Sequence, residues 1–259
     1  MRALEEILTE SAVLDVADGT TMGAYLARPL PRDGDGPYPP VVVAGELFGV
    51  SAHVRDVCER LARHGYLALA PDLYHRDAPG TELPHDEAGR ERGFALMGRM
   101  TRAGVLADVR AAVAHIHSGG PVGMLGLSLG GHVAYLAATE LDLAAVAVAY
   151  GGWIPTTGIP ISRPEPTLAG TPRITARVLA LYGDADHAIG DAERAAVAGA
   201  LHAAGVRHEF VTYPGVSHGF LCDRRATYDP KAADDAWARI LALFAAELAP
   251  DRYAPPRAP

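Results

Sequence analysis

Short apolar runs alternate with amphipathic stretches along most of this chain. Runs that are apolar at every position predict strands covered on both faces, as in a parallel sheet. Such strands are predicted at 41–44, 67–70, 122–125, 144–149, 178–181 and 209–211, and helices at 51–64, 105–117, 129–139, 191–204 and 230–248. Ahead of them, residues 12–16 and 22–27 flank a turn at 18–20, which predicts a β-hairpin. The pattern predicts an α/β fold: a mostly parallel, doubly wound sheet with an N-terminal β-hairpin and helices on both faces.

The alternation continues from residue 41 to residue 248 without a break typical of a linker. It therefore predicts one domain over residues 1–249. Residues 152–176 are rich in Pro, Thr and Gly and predict a long excursion over the active-site end of the sheet. Residues 250–259 predict a Pro-rich flexible tail.

Charge and composition narrow the choice of partners and compartment. The 259 residues carry a formal net charge of −8 and no Lys/Arg cluster, which argues against nucleic acid as a partner. The only cysteines, Cys58 and Cys222, do not have the spacing of a metal site or a disulfide framework, so we expect a reducing compartment. No apolar stretch reaches the roughly 18 residues of a membrane helix, and two acids near the start argue against a signal peptide. We expect a cytoplasmic monomer or homodimer without a membrane partner.

The strongest chemical signal is a G-x-S-x-G sequence centred on Ser128, between a predicted strand and a predicted helix. A serine on such a tight turn is strained, and small neighbours allow strand and helix to pass closely. The turn exposes the hydroxyl and directs the next N–H, that of Leu129, at a developing oxyanion. The pattern predicts that Ser128 is a nucleophile.

A base and an acid follow in the order that this arrangement requires, Ser, acid, His. Asp186 follows the strand at 178–181, and His218 follows the strand that ends near residue 211. Asp184 is the alternative acid, and His187 is the competing base, although it precedes the last strand. The histidines on predicted helices are interpreted as helix surface, and they are His53, His64, His115, His117 and His132.

Several stretches around these residues resemble the dienelactone hydrolase family over about residues 12–248. The stretches that carry the resemblance are residues 45–50, 65–74, 76–80, 126–131, 183–187 and 217–220. The resemblance implies an α/β-hydrolase fold that cleaves lactones or small esters without a metal or cofactor. It also implies a triad of Ser128, Asp186 and His218.

The resemblance implies further site residues. The N–H groups of Leu47 and Leu129 would form the oxyanion hole. Glu46 matches an active-site glutamate, and Arg76 matches an arginine that binds the substrate carboxylate.

Two positions depart from the family pattern. The best-known members have cysteine where this chain has Ser128, and a serine hydroxyl needs His218 as general base. The role of Glu46 then stays open between substrate binding, water positioning and an inherited polar contact. Those members also have an arginine four residues after the histidine, where this chain has Cys222. We expect Cys222 to be a small buried hydrophobe, and the following Arg224 and Arg225 are candidate substitutes.

The sequence thus predicts a hydrolase of lactones or small carboxylic esters that works through an acyl-enzyme. Two alternatives use the same features. One is an acyltransferase or peptidase with the same triad, and the other is a catalytically silent small-molecule binding protein on a hydrolase scaffold.

Overall fold

Eight strands form one sheet in the computed structural model, which describes residues 6–31 and 37–248. The first two strands pair antiparallel as the predicted hairpin, and the second joins the remaining strands, which are parallel to one another. The predicted fold class is therefore confirmed, whereas the predicted tail at 250–259 lies outside the described residues. In chain order the strands are β1 Ile7–Asp15, β2 Thr21–Pro29, β3 Pro40–Ala44, β4 Leu67–Pro71, β5 Gly123–Leu127, β6 Ala145–Ala149, β7 Arg177–Gly183 and β8 His208–Tyr213; their order in the sheet is β1-β2-β4-β3-β5-β6-β7-β8.

Two apolar layers cover the sheet because successive side chains of a strand point to opposite faces. Val42 and Met124 belong to one core cluster, while Val43 and Leu125 belong to the other. α1 and α6 pack on the second cluster, and α3, α4 and α5 pack on the first. The helices are α1 Ala52–Arg63, α2 Glu87–Met97, α3 Arg102–Ile116, α4 Leu129–Glu140, α5 Asp191–Ala203 and α6 Pro230–Leu248. Among the described helices, none is long and apolar enough to cross a bilayer.

Helix α2 lies where the sequence pattern predicts no element. Asp86 caps it, accepting a hydrogen bond from the Gly89 N–H at 2.8 Å. Gly89 and Gly93 lower its helix propensity, yet both face neighbouring backbone. A Cβ at Gly93 would lie only 2.7 Å from the carbonyl oxygen of Leu47, so glycine allows α2 to approach the loop after β3.

The excursion at 152–176 contains two short 3₁₀ helices, Pro160–Ser162 and Thr167–Arg173. His132 on α4 anchors it, with Nδ1 bonded to the Gly152 carbonyl at 2.7 Å and Nε2 to the Thr167 hydroxyl at 2.8 Å. Burial lowers the pKa of His132 to about 4, so the imidazole is neutral at pH 7. The prediction that His53 and His132 lie on a helix surface is wrong, because both are buried.

Candidate active site

Ser128 occupies a sharp turn between β5 and α4, with its backbone at φ = 56°. Its N–H donates to the Ala149 carbonyl at 3.0 Å, which holds the turn against β6. The flanking glycines are needed because backbones touch here. A Cβ at Gly126 would lie 2.0 Å from the Gly130 carbonyl oxygen, and one at Gly130 would lie 2.0 Å from that of Ala44. The packing therefore maintains a positive φ that a side-chain-bearing residue rarely adopts.

A continuous line of hydrogen bonds leads from Ser128 to a buried carboxylate. The Ser128 Oγ lies 2.9 Å from Nε2 of His218, and Nδ1 of His218 lies 2.7 Å from Oδ2 of Asp186. The second oxygen of Asp186 accepts from the N–H groups of Ala188 at 2.8 Å and Ile189 at 3.2 Å. Burial raises the pKa of Asp186, but the bonds to His218 and to the two N–H groups outweigh it and hold the pKa below its ordinary value. The carboxylate is thus ionised and fixes Nδ1 of His218 as a donor.

The structure separates the alternatives for acid and base by position. Asp184 is exposed, and its Oδ1 accepts from the Gly215 N–H at 2.6 Å. His187 is exposed at the rim of the pocket. Asp186 and His218 are therefore the pair brought to Ser128.

Leu47 and Leu129 line the same pocket as Ser128. Leu129 is the first residue of α4, so its N–H has no acceptor within the helix. Leu47 follows β3, and its carbonyl accepts from the buried Tyr74 hydroxyl at 2.9 Å. The fold therefore brings both leucines, whose N–H groups are the predicted donors, to the pocket that contains the serine.

A cavity of about 180 Å³ opens over the serine and histidine. Its size suits a small molecule, since pockets for drug-sized ligands are larger. The lining residues that the sequence did not indicate come mainly from α2, from the excursion and from the loop after β7. The Phe94 ring of α2 and the Trp153 ring of the excursion meet edge to face at 6.4 Å. The one local signal for α2 was Asp86, a residue favoured at helix N-termini. The apolar wall consists of Leu47, Phe48, Phe94, Leu129, Trp153 and Ile189, and the cations at its edge are Arg90 and Arg225.

Glu46 lies behind this wall, with 3% of its surface exposed, and is not among the lining residues. Its Oε1 accepts from Nη1 of Arg225 at 3.3 Å, and the same guanidinium lies 5.7 Å from the Phe48 ring centre. Arg224 instead pairs with Asp56 on the surface at 2.6 Å. Of the two arginines named as substitutes, Arg225 therefore reaches the pocket.

The structure does not bring Arg76 to the pocket, which corrects the expectation that it binds substrate. Its guanidinium donates twice to the carboxylate of Asp108, at 2.8 Å each, and once to Asp18 at 2.8 Å. Asp108 on α3 is fully buried and also contacts Nε2 of His75 at 3.1 Å. A buried carboxylate requires such a counterion. Arg76 therefore neutralises Asp108 and holds α3 in place, away from the pocket.

Comparison with known proteins finds relatives that match most of this chain. The model of the dienelactone hydrolase family matches residues 22–248. A Synechocystis sp. protein provisionally named carboxymethylenebutenolidase is 37% identical over 236 residues, which cover 88% of this chain and 92% of that protein. The carboxymethylenebutenolidase of Pseudomonas putida is 38% identical over 139 residues, which cover 52% of this chain and 57% of that protein. A crystal structure from Klebsiella pneumoniae, provisionally named dienelactone hydrolase, has a TM-score of 0.82 at 34% identity and covers 93% of this chain and 99% of its own. This chain belongs to the dienelactone hydrolase family and is a carboxylic ester hydrolase.

Proposed function

We propose that this chain is a serine hydrolase that cleaves a lactone or small carboxylic ester through an acyl-enzyme. The observation that supports this most directly is the line from Ser128 through His218 to Asp186, with contacts of 2.9 and 2.7 Å. These are hydrogen-bond distances between a nucleophile, a base and the group that orients the base.

In the proposed first half-reaction, the Ser128 oxygen bonds to the substrate carbonyl carbon as its proton passes to Nε2 of His218. The carbonyl oxygen becomes an oxyanion and accepts from the N–H groups of Leu47 and Leu129. The bond from carbon to the leaving oxygen then breaks, and His218 protonates that oxygen. With a lactone the leaving oxygen stays attached to the acyl group, because the ring opens.

In the second half-reaction, water attacks the acyl carbon while His218 takes its proton. Collapse of the second tetrahedral intermediate returns the proton to Ser128 and releases the carboxylic acid. Asp186 stabilises the imidazolium that forms in both halves, and its pKa, held below the ordinary value, keeps it ionised throughout.

Glu46 is proposed to act through Arg225 rather than on the nucleophile. A serine hydroxyl is too weak an acid to be ionised by a nearby carboxylate, so general base catalysis falls to His218. Glu46 is buried and bonded to Arg225, which lines the pocket. It therefore fixes the guanidinium at the edge of the cavity.

The pocket favours a small, flat substrate with a negative charge. Apolar rings line its wall, and Arg90 and Arg225 are at its edge. The name carboxymethylenebutenolidase, carried by relatives, describes a butenolide lactone with a carboxymethylene group. Such a molecule combines a ring that suits the wall with a carboxylate that suits a guanidinium.

Labelling with a fluorophosphonate tests the nucleophile. We expect one adduct, located by peptide mass spectrometry at Ser128, and no adduct in Ser128→Ala. Ser11→Ala is the matched control, since Ser11 is an exposed residue of β1. Ser128→Ala should lower the kcat for p-nitrophenyl acetate by at least about 10³-fold. Labelling elsewhere, or unchanged turnover in Ser128→Ala, would refute the proposal and favour the silent binding protein.

A substrate panel tests the proposed substrate class and the use of water as the acyl acceptor. Matched lactones and short-chain esters, each with and without a free carboxylate, should be hydrolysed with a lower KM for the anionic member. Water should compete successfully with added alcohols and amines for the acyl group. Dominant transfer to an amine or alcohol would contradict hydrolysis and support the acyltransferase.

A further inference from the structure

Three side chains converge behind the pocket, each from a different segment of the chain. Glu46 follows β3, His85 precedes α2, and Cys222 lies in the loop after β8. One donor atom from each lies within 4.8 Å of the other two. Cys222 Sγ and His85 Nδ1 are 3.9 Å apart.

The cluster contains a carboxylate oxygen that the protein satisfies poorly. Oε2 of Glu46 is buried and has no hydrogen bond of ordinary geometry among the described residues, and the polar group close to this carboxylate besides Arg225 is the buried Tyr150 hydroxyl, which also has none. Glu46 is 3% exposed and Cys222 is fully buried. Native structures rarely leave such atoms without a partner, and an ion is one of the ordinary explanations.

We propose that Glu46, His85 and Cys222 form a binding site for Zn²⁺, with a water molecule as the fourth ligand. A thiolate, an imidazole and a carboxylate are the donor types that zinc takes, and three protein ligands plus water is a common zinc arrangement. From the usual zinc–ligand distances, tetrahedral donors lie roughly 3.3–3.8 Å apart. Donors up to 4.8 Å apart must therefore approach by as much as roughly 1.5 Å when the ion binds. On binding, the Cys222 S–H proton is released to solvent as the Zn–S bond forms.

The groups that surround the cluster determine which ligand atoms are free for an ion and how the ion reaches them. Arg225 bonds Oε1 of Glu46, so the metal would bind Oε2 in competition with the nearby Tyr150 hydroxyl. The ring of Phe48 packs against His85 at 4.4 Å and separates the cluster from the substrate cavity. His85 is only half-buried, so an ion can approach from its side.

Cobalt substitution tests the site without relying on activity. The reduced, chelator-treated full chain is titrated with Co²⁺ while the thiolate-to-cobalt charge-transfer band is recorded, and Zn²⁺ is then added to displace the cobalt. We expect about one equivalent and a band that Zn²⁺ abolishes. Cys222→Ser should lose the band, and His85→Gln should weaken binding by at least about tenfold.

The matched control is Cys58→Ala, because Cys58 is the other buried cysteine and is not part of the cluster. It should keep the band and the stoichiometry, as should Ser128→Ala, which separates this test from that of the nucleophile. Zn²⁺ at about 100 times its Kd should raise the Tm of the wild type by roughly 5–10 °C and leave that of Cys222→Ser unchanged.

Either of two results would overturn the site. One is a wild-type chain with no charge-transfer band and no Zn²⁺-dependent rise in Tm. The other is a folded His85→Gln variant, judged by circular dichroism, that binds Co²⁺ as tightly as the wild type. Each would leave the cluster as a thiol–imidazole contact beside the Glu46–Arg225 ion pair.

Discussion

Gly93→Ala should impair catalysis more than it impairs stability. An added Cβ would lie 2.6 Å from Cγ of Leu47 and 2.7 Å from its carbonyl oxygen. Real Cβ atoms essentially never approach other atoms this closely, so α2 or Leu47 must move by about 0.8 Å to reach ordinary van der Waals contact. Leu47 carries one of the proposed oxyanion donors, and a shift of this size misaligns its N–H.

The two effects of this substitution differ in size. Overpacking lowers the free energy of unfolding by about 1–3 kcal/mol, and replacing glycine by alanine in a helix raises it by about 1 kcal/mol. The net loss of stability is therefore at most about 2 kcal/mol. Complete loss of an oxyanion donor costs about 10²–10³ in kcat. A misplaced donor should therefore lower kcat by about 10- to 100-fold, with a smaller change in KM.

Gly199→Ala on α5 is the matched control, because an added Cβ there meets nothing within 4 Å. It should leave kcat unchanged and stabilise the chain by about 0.5–1 kcal/mol, a rise in Tm of roughly 1–4 °C. The assays are steady-state hydrolysis of a neutral ester and thermal unfolding. If Gly93→Ala kept kcat within twofold of wild type, the argument that α2 positions Leu47 would be wrong.

The remaining predictions concern the polar groups around the site. Because the pKa of Asp186 lies below its ordinary value of 3.8, its ionised form stabilises the fold above pH 3.8 and loses that contribution as the pH falls through the folded-state value. Urea unfolding should therefore find Asp186→Asn less stable than wild type at pH 7, with a difference that shrinks in acid; a constant difference would contradict the shift. Arg225→Met should destabilise by about 3 kcal/mol because Glu46 stays buried without its counterion, and Glu46→Gln should recover part of the loss in the double variant. If the double variant were as unstable as the sum of the single variants, the pairing would be unimportant. Tyr74→Phe removes the bond to Leu47 and should cost about 1 kcal/mol with a modest fall in kcat, whereas unchanged values would show that other packing holds Leu47.

The sheet and the serine turn could be predicted because their causes are local. Strands buried on both faces are apolar at every position, and the serine turn has a short sequence signature of its own. Gly126 is required by the nearby Gly130 carbonyl, although Gly130 itself faces the distant Ala44 carbonyl on β3. Helix α2 could not be predicted, since Gly89 and Gly93 serve contacts with loops that the sequence pattern does not reveal. The choice of Asp186 over Asp184 likewise depends on backbone direction in the loop after β7.

Two arginines show most clearly that sequence position alone does not predict which side chain lines the pocket. Arg76 matches a family position, yet the fold places a fully buried Asp108 beside it, and neutralising that carboxylate takes the guanidinium away from the pocket. Arg225 matches no position in the linear pattern, but the turn after His218 brings it against Glu46. Each arginine therefore lies where a buried carboxylate requires it. Of these two arginines, the one that lines the cavity is Arg225, because its carboxylate, Glu46, lies next to the cavity, whereas Asp108 does not.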